Sequence, residues 1–358
     1  MDQNRLGSAE SQFNDRTLHE SSGGNEAVTK LGLNIEPMSE EKPLITFALF
    51  AYNQEHCVRN AIEGAFSQTY TPLEIILSDD CSGDGTYEVM QSMADSYAGP
   101  HTIRLNRNSV NLGIGGHIAK LAELARGDWI TVAAGDDVSL PTRVQTVYEI
   151  AKQCKNPKAI ATIGTGDPQY DSSFGSDLRI VTASELIKSE MLCTQGAFIS
   201  YSADCFHWPD EYPHECWYED RILPLRAALL GELVVTDHFE VNYTRGQKTW
   251  SSVVVNLSQM KHVYEAANKA IRMAVREKRL GWLSAKCNLV QLRLSYWKLL
   301  TTTKFRNSKS TLERFILAGK IHVLDTLIRG PFKKLSRLFP LGSRHRRRFV
   351  HPHFKIRD

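Results

Sequence analysis

Two adjacent acidic residues, Asp136 and Asp137, follow a short apolar segment of this 358-residue sequence. Carboxylate oxygens are hard ligands that suit Mg²⁺ or Mn²⁺. A second acidic pair, Glu219 and Asp220, begins a segment with a helical pattern, and Asp80 follows another apolar run. These side chains are therefore the first candidates for metal binding and for acid–base chemistry.

Short apolar runs alternate with helical patterns in the first half of the sequence. The apolar or extended runs are residues 43–50, 73–78, 102–105 and 129–134, and the helical patterns are residues 59–68, 87–97, 114–125 and 142–154. Strands that alternate with helices of this length predict a parallel sheet covered on both faces, with ligands at the carboxyl ends of the strands. The pattern weakens over residues 159–206, and a helix over 218–230 and a strand over 232–236 follow.

Three loops after predicted strands carry specific strings. They read Phe50-Ala-Tyr-Asn-Gln-Glu55, Ser78-Asp-Asp-Cys-Ser-Gly-Asp-Gly-Thr86 and Ala134-Gly-Asp-Asp-Val-Ser-Leu-Pro141. Together with Asn111-Leu-Gly113 and Arg126-Gly-Asp-Trp-Ile130, they resemble the inverting family 2 glycosyltransferases. The resemblance runs in register over residues 44–143 and continues more loosely to residue 245. It implies an α/β fold of the GT-A type, in which a mostly parallel twisted sheet with flanking helices and a Rossmann-like nucleotide-binding half precedes a helical C-terminal region.

The same resemblance implies a nucleotide-sugar donor, with a UDP-sugar as the expected class. It assigns Tyr52 to packing on the base, and Asp80 to accepting a hydrogen bond from the base or the ribose. Core packing is the alternative for Tyr52, and a turn or a helix N-cap is the alternative for Asp80. The other implied donor-binding residues are Ala51, Asn53, Glu55, Gly113, His117, Asp136 and Arg245.

A diphosphate arriving at Asp136 and Asp137 would be repelled unless a divalent cation lay between the charges. We therefore expect Mg²⁺ or Mn²⁺ held by both residues, stabilising the departing nucleoside diphosphate. Relatives often carry a third acid where this sequence has Ala134. A pair of turn acids without a metal is the alternative.

An inverting transfer also needs a base that removes the proton of the acceptor hydroxyl. The resemblance points to Asp220, with Glu219 as the second candidate. The alternative is a helix-terminal charge or a partner for Arg221.

Two further candidates depart from the family pattern. His117 follows a Gly-rich stretch read as a loop, from which it could donate to phosphate or ribose, although a surface histidine is the simpler alternative. Arg245 or Lys248 could reach the diphosphate, and the loop with Trp250 could close over the donor.

The C-terminal region is predicted to be helical and basic. Five residues at 4-3-4-3 spacing form one apolar helical face, namely Leu283, Cys287, Val290, Leu294 and Trp297. Residues 304–358 carry 15 Lys or Arg and 3 acidic residues, whereas the formal charge of the whole chain is only +3. Basic residues beside bulky apolar ones suit an anionic membrane surface. A solvated charged tail is the alternative, and no motif supports nucleic-acid binding.

The sequence thus divides into a disordered leader (1–42), a GT-A domain (43–258), a helical extension (259–303) and a basic amphipathic tail (304–358). Seven scattered cysteines suit free thiols. We expect a cytoplasmic enzyme, peripheral on the cytoplasmic membrane face, that transfers sugar to a glycan or lipid-linked acceptor in surface polysaccharide or glycolipid synthesis. The competing hypotheses are a sugar-nucleotidyltransferase and a non-catalytic nucleotide-sugar-binding protein.

Overall fold

A computed structural model describes residues 41–165, 178–188, 196–210, 212–213, 218–243, 257–307, 316–317 and 320–321. The strands are β1 (Ile45–Ala51), β2 (Leu73–Asp79), β3 (Thr102–Arg107), β4 (Trp129–Ala134), β5 (Val138–Ser139), β6 (Pro157–Gly164), β7 (Arg179–Val181), β8 (Ile199–Ser202) and β9 (Glu232–Asn242). The helices are α1 (Val58–Phe66), α2 (Thr86–Asp95), α3 (Gly113–Leu124), α4 (Arg143–Gln153), α5 (Ala183–Lys188), α6 (Asp204–His207), α7 (Glu219–Leu230), α8 (Leu257–Arg276) and α9 (Trp282–Asn307).

The strands form one mixed sheet in the order β3-β2-β1-β4-β8-β6-β9-β5, with β7 paired to β9. The four strands β1 to β4 are mutually parallel, as predicted. The antiparallel pairs lie in the second half of the sheet, where β8 joins β4 to β6. The predicted α/β architecture is therefore confirmed, and the weak pattern after residue 158 corresponds to these short antiparallel strands.

Helices cover both faces of the sheet, and successive side chains along each strand point to opposite faces, so both sets are buried. In β1, Phe47 and Leu49 point toward α1, α2 and α4, whereas Ala48 points toward α3. The α3 side continues through α7 and α8 as one core, to which Val263 and Ala267 of α8 belong. The first helix of the predicted extension is therefore part of the domain core.

The predicted leader and most of the basic tail lie outside the described residues. Within the part of the chain that the structure describes, no helix is long and apolar enough to span a membrane.

Candidate active site

The loops after β1 and β2 are joined by hydrogen bonds that involve two predicted donor-binding residues. The Asn53 amide donates to Ser82 Oγ at 2.8 Å, and Asn53 Oδ1 accepts from the Gly83 amide at 2.9 Å. The Glu55 carboxylate accepts from the Gly85 amide at 2.5 Å. Asn53 and Glu55 therefore hold the two loops together, and any contact of theirs with a donor stays a prediction.

Tyr52 lies in the loop directly after β1, with its side chain open to solvent. It is 48% exposed, whereas its neighbour Ala51 is buried at the end of β1. The alternative of core packing is therefore wrong for Tyr52. An exposed ring at the carboxyl end of a central strand is free to stack on a flat base.

Asp80 is buried and already accepts three hydrogen bonds from one loop. Its Oδ1 accepts from the Asn108 side chain at 2.8 Å and from the Leu112 amide at 2.9 Å, and its Oδ2 accepts from the Gly113 amide at 3.0 Å. Asp80 thus satisfies amides at the start of α3, because the first amides of a helix have no intrahelical acceptor. This contact also occupies the amide of Gly113, a residue that we predicted to bind the donor.

The prediction that His117 lies on a loop was wrong, because this residue is buried within α3. Its Nε2 lies 2.7 Å from Ser78 Oγ, and burial lowers the pKa of His117 to about 4. A chain of side-chain hydrogen bonds continues from Ser78 through Asn106 and Asn108 to Asp80. The neutral His117 is therefore buried and belongs, through Ser78, to the hydrogen-bonded side chains that connect the end of β2 to Asp80.

Asp136 lies where the loop after β4 meets the loop after β1. Gly135 permits this approach, since a Cβ there would lie 2.7 Å from the Ala51 Cβ and 2.6 Å from Gln54 Oε1. The Gln54 side chain donates a hydrogen bond to Asp136, and burial nevertheless raises the pKa of this half-buried carboxyl group. A cation beside Asp136 would relieve that burial penalty, so the residue fits the role of a metal ligand.

Asp137 occupies a different environment from its neighbour. It is 5% exposed, and its charge, together with that of Glu240, favours the protonated guanidinium of fully buried Arg143. Burial still lowers the pKa of Arg143 to about 10. Asp137 therefore contributes to the charge balance of a buried arginine, and Asp136 is the more accessible of the two predicted ligands.

Arg143 links this acidic pair to the predicted base. Its Nη2 donates to the carbonyl oxygens of Val132 in β4 at 2.9 Å and of Ala197 at 2.7 Å. The residue before Ala197 is Gly196, and a Cβ at Gly196 would lie 2.3 Å from a carboxylate oxygen of Glu219. Gly196 therefore lies against the N-terminus of α7, and the next residue, Ala197, is hydrogen-bonded to Arg143.

The carboxyl groups of Glu219 and Asp220 are enclosed by protein atoms, although each residue as a whole is only half-buried. Burial raises the pKa of both groups, and the Asp220 charge raises that of Glu219 further. The positive charge of Arg221 lowers the pKa of Asp220 and so partly offsets the effect of burial. Asp220 Oδ1 is buried and accepts no hydrogen bond from the protein. The pair therefore favours a proton on Glu219, and it holds one buried Asp220 oxygen that has no hydrogen-bond partner in the protein.

Arg245, Lys248 and Trp250 lie outside the described residues, so their predicted roles stay predictions. Among the described residues, no group of three or more His, Cys, Asp or Glu side chains has the arrangement of a metal site. Sequence reasoning missed Gln54, which lies inside a quoted string and whose neighbours were chosen instead. It also missed Arg143 and Gly196, for which the sequence carries no signal.

Residues 46–207 match the family model described as Glycosyl transferase family 2. This part of the chain belongs to glycosyltransferase family 2. The chain is 32% identical over 163 residues to the succinoglycan biosynthesis protein ExoO of Rhizobium meliloti, covering 46% of this chain and 44% of that protein. It is also 30% identical over 101 residues to WfaP of Escherichia coli, a UDP-Glc:alpha-D-GlcNAc-diphosphoundecaprenol beta-1,3-glucosyltransferase, covering 28% of this chain and 38% of that protein.

The chain thus spans less than half the length of these curated relatives. Among solved structures, it is similar to Staphylococcus aureus TarS 1–349 in complex with UDP-GlcNAc, with a TM-score of 0.60 and 17% identity over 79% of this chain and 81% of the other. At this identity the likeness establishes the fold, which agrees with the predicted GT-A architecture.

Proposed function

We propose that the protein transfers a sugar from a nucleotide-diphosphate donor to a hydroxyl acceptor, with inversion at the anomeric carbon. The observation that carries the proposal is the buried Asp220 oxygen without a hydrogen-bond partner, at the start of α7 in a chain whose residues 46–207 match family 2. In-line displacement needs one base on the acceptor side, and a surrounded carboxylate with a free oxygen meets that need. A non-catalytic binding protein would not require this carboxylate, and no matched relative named above is a nucleotidyltransferase.

Asp220→Asn tests the base directly, because it preserves size and removes the charge. Transfer should fall by roughly 10² to 10⁴, the usual contribution of a general base, while donor affinity stays near the wild-type value. Glu219→Gln is the matched control, since Glu219 already carries the proton, and its transfer rate should change far less. If Glu219→Gln abolishes transfer and Asp220→Asn does not, the roles of the two residues are exchanged.

For the donor, we propose a UDP-sugar whose base stacks on Tyr52. The exposed ring supports this proposal, and TarS, which shares the fold, has been solved with UDP-GlcNAc. A screen of UDP-, GDP- and TDP-sugars for thermal stabilisation and for hydrolysis identifies the nucleotide. Equal stabilisation by all three nucleotides would contradict a base-specific site.

We further propose that Mg²⁺ or Mn²⁺ is bound at this site, with Asp136 as the accessible ligand and Asp137 behind it. The cation would offset the diphosphate charge and supply a Lewis acid for the leaving group. Calorimetric titration of UDP in Mn²⁺ and then in chelator tests the metal. Asp136→Asn should abolish the difference between the two titrations, and equal affinities for wild-type protein would contradict the assignment.

The acceptor is proposed to be a glycan or a lipid-linked sugar in surface polysaccharide or glycolipid synthesis. WfaP is named for a diphosphoundecaprenol-linked acceptor, which supports the lipid-linked class. A cytoplasmic or peripheral location would suit such an acceptor, and contact of residues 304–358 with a membrane stays a prediction. Transfer to undecaprenyl-diphosphate sugars, compared with transfer to free sugars, distinguishes the acceptor classes.

A further inference from the structure

The longest described helix, α9, exposes an apolar and basic face. Its exposed large side chains include Trp282 and Trp297, which are 63% and 64% exposed, respectively. At about 100° per residue, the exposed side chains that the structure describes in this helix fall within an arc of about 100°. We call this surface the α9 face, and it consists of Trp282, Leu283, Lys286, Val290, Arg293 and Trp297.

The opposite side of α9 fixes the helix to the protein. Asn288, Gln291 and Ser295 are buried there, and the rings of Tyr264 in α8 and Tyr296 in α9 lie 4.7 Å apart. The apolar pattern predicted at residues 283–297 therefore lies largely on the outer side of the helix, and the inner side is mixed, with Ala285 and Leu292 buried in the core beside the three polar residues. Two exposed tryptophans on one helical face are unfavourable in water and indicate a surface that becomes covered.

Charge distinguishes among the surfaces that could cover the α9 face. Residues 282–307 contain five Lys or Arg and no Asp or Glu. A second copy would bring the same positive charge to the interface, and residues 304–358 of this chain are also strongly basic. An anionic surface is complementary to all of these residues.

The chemistry of the exposed side chains fits a lipid headgroup region in particular. Tryptophan is enriched at membrane interfaces because its ring is apolar and its N–H is polar. Lys286 Nζ lies 3.7 Å from the centre of the Trp282 ring, so the ammonium group can stay at the headgroups while the ring enters the acyl boundary. A face that combines exposed tryptophan rings with basic side chains suits the headgroup region of an anionic bilayer.

We propose that the α9 face docks the protein on an anionic phospholipid bilayer, with the helix axis parallel to the membrane plane. The surface is separate from the residues proposed for sugar transfer, so docking and catalysis can be tested independently. Docking would bring the domain to the bilayer in which a lipid-linked acceptor resides.

Charge reversal of full-length protein tests the electrostatic part. Wild-type protein should co-sediment with phosphatidylcholine vesicles containing phosphatidylglycerol, and much less with phosphatidylcholine alone. Lys286→Glu with Arg293→Glu should lower the partition coefficient at least 25-fold, because each basic residue near an anionic leaflet adds about fivefold. Lys152→Glu with Lys155→Glu, at exposed positions of and after α4, changes the net charge equally and should leave binding within a few-fold of wild type.

Removal of the aromatic rings tests the insertion. Brominated lipids should quench the tryptophan fluorescence of wild-type protein, and Trp282→Ser with Trp297→Ser should reduce both the quenching and, roughly tenfold or more, the partitioning. Unchanged partitioning of both double variants would overturn the proposal and leave residues 308–358 as the membrane contact. A lipid-free dimer that dissociates on Trp297→Ser would also overturn it, since a second copy would then cover the face.

Discussion

Gly196→Ala should impair sugar transfer without a comparable loss of donor affinity. The new Cβ would lie 2.3 Å from Glu219 Oε1 and 3.3 Å from the Asp220 Cβ. A carbon and an oxygen atom in van der Waals contact need about 3.3 Å, so the Glu219 carboxyl group must move by about 1 Å and disturb its neighbour. Because a misplacement of about 1 Å can cost 10²-fold in rate, we expect kcat to fall by one to two orders of magnitude.

The assay compares kcat and the donor KM of Gly196→Ala with those of Gly281→Ala, the matched control. A Cβ at Gly281, just before α9, would meet no atom within 4 Å. The control should retain wild-type kinetics, and thermal unfolding should be recorded for both variants because overpacking costs about 1–3 kcal/mol. Wild-type kcat for a folded Gly196→Ala variant would refute the placement of the Glu219–Asp220 pair beside Gly196.

Three further predictions concern other parts of the site. Folding lowers the pKa of His117 from 6.5 to about 4, so between these pH values the folded protein binds fewer protons than the unfolded chain. The free energy of unfolding should therefore fall as the pH decreases from 6.5 to about 4. Urea titrations of His117→Gln should show a smaller decrease over the same pH range. Arg143→Met removes the buried positive charge that interacts with Asp137 and Glu240, together with its hydrogen bonds to the carbonyl oxygens of Val132 and Ala197, and it should lower the free energy of unfolding by about 3–5 kcal/mol in denaturant titrations. Tyr52→Ala should weaken UDP binding by about 1–3 kcal/mol in calorimetry while Tyr52→Phe keeps most of the affinity, and equal losses in both variants would contradict stacking.

The order of strands and helices could be predicted as far as residue 154, because each element there is a separate apolar run or a helical pattern. The positions of Asp136 and Tyr52 at strand ends followed from that order. The helical pattern over residues 114–125 already included His117, and its assignment to a loop came from the three glycines in the first turn of α3, which favour a loop by propensity. The Asp80 carboxylate that stabilises this turn lies about 32 residues away in the sequence.

The C-terminal helices illustrate a second limit of the sequence. The pattern in residues 283–297 correctly predicted a helix with one apolar face, but periodicity does not identify which side packs inward. Burial of Asn288, Gln291 and Ser295 depends on the surface that α8 offers, which only the tertiary structure reveals. The link from Arg143 to Ala197 is equally invisible in the sequence, because it joins residues 54 positions apart through a backbone oxygen.

The hydrogen bonds between the loops after β1 and β2 have a consequence for engineering. Residues 53 and 55 form hydrogen bonds with residues 82–85, so the two loops form a single hydrogen-bonded unit. A graft of residues 51–57 from another family 2 protein would leave amides and carboxylates of the second loop without partners, each at a cost of about 1–3 kcal/mol where buried. Donor preference should therefore be exchanged between relatives by moving residues 51–57 and 80–86 together.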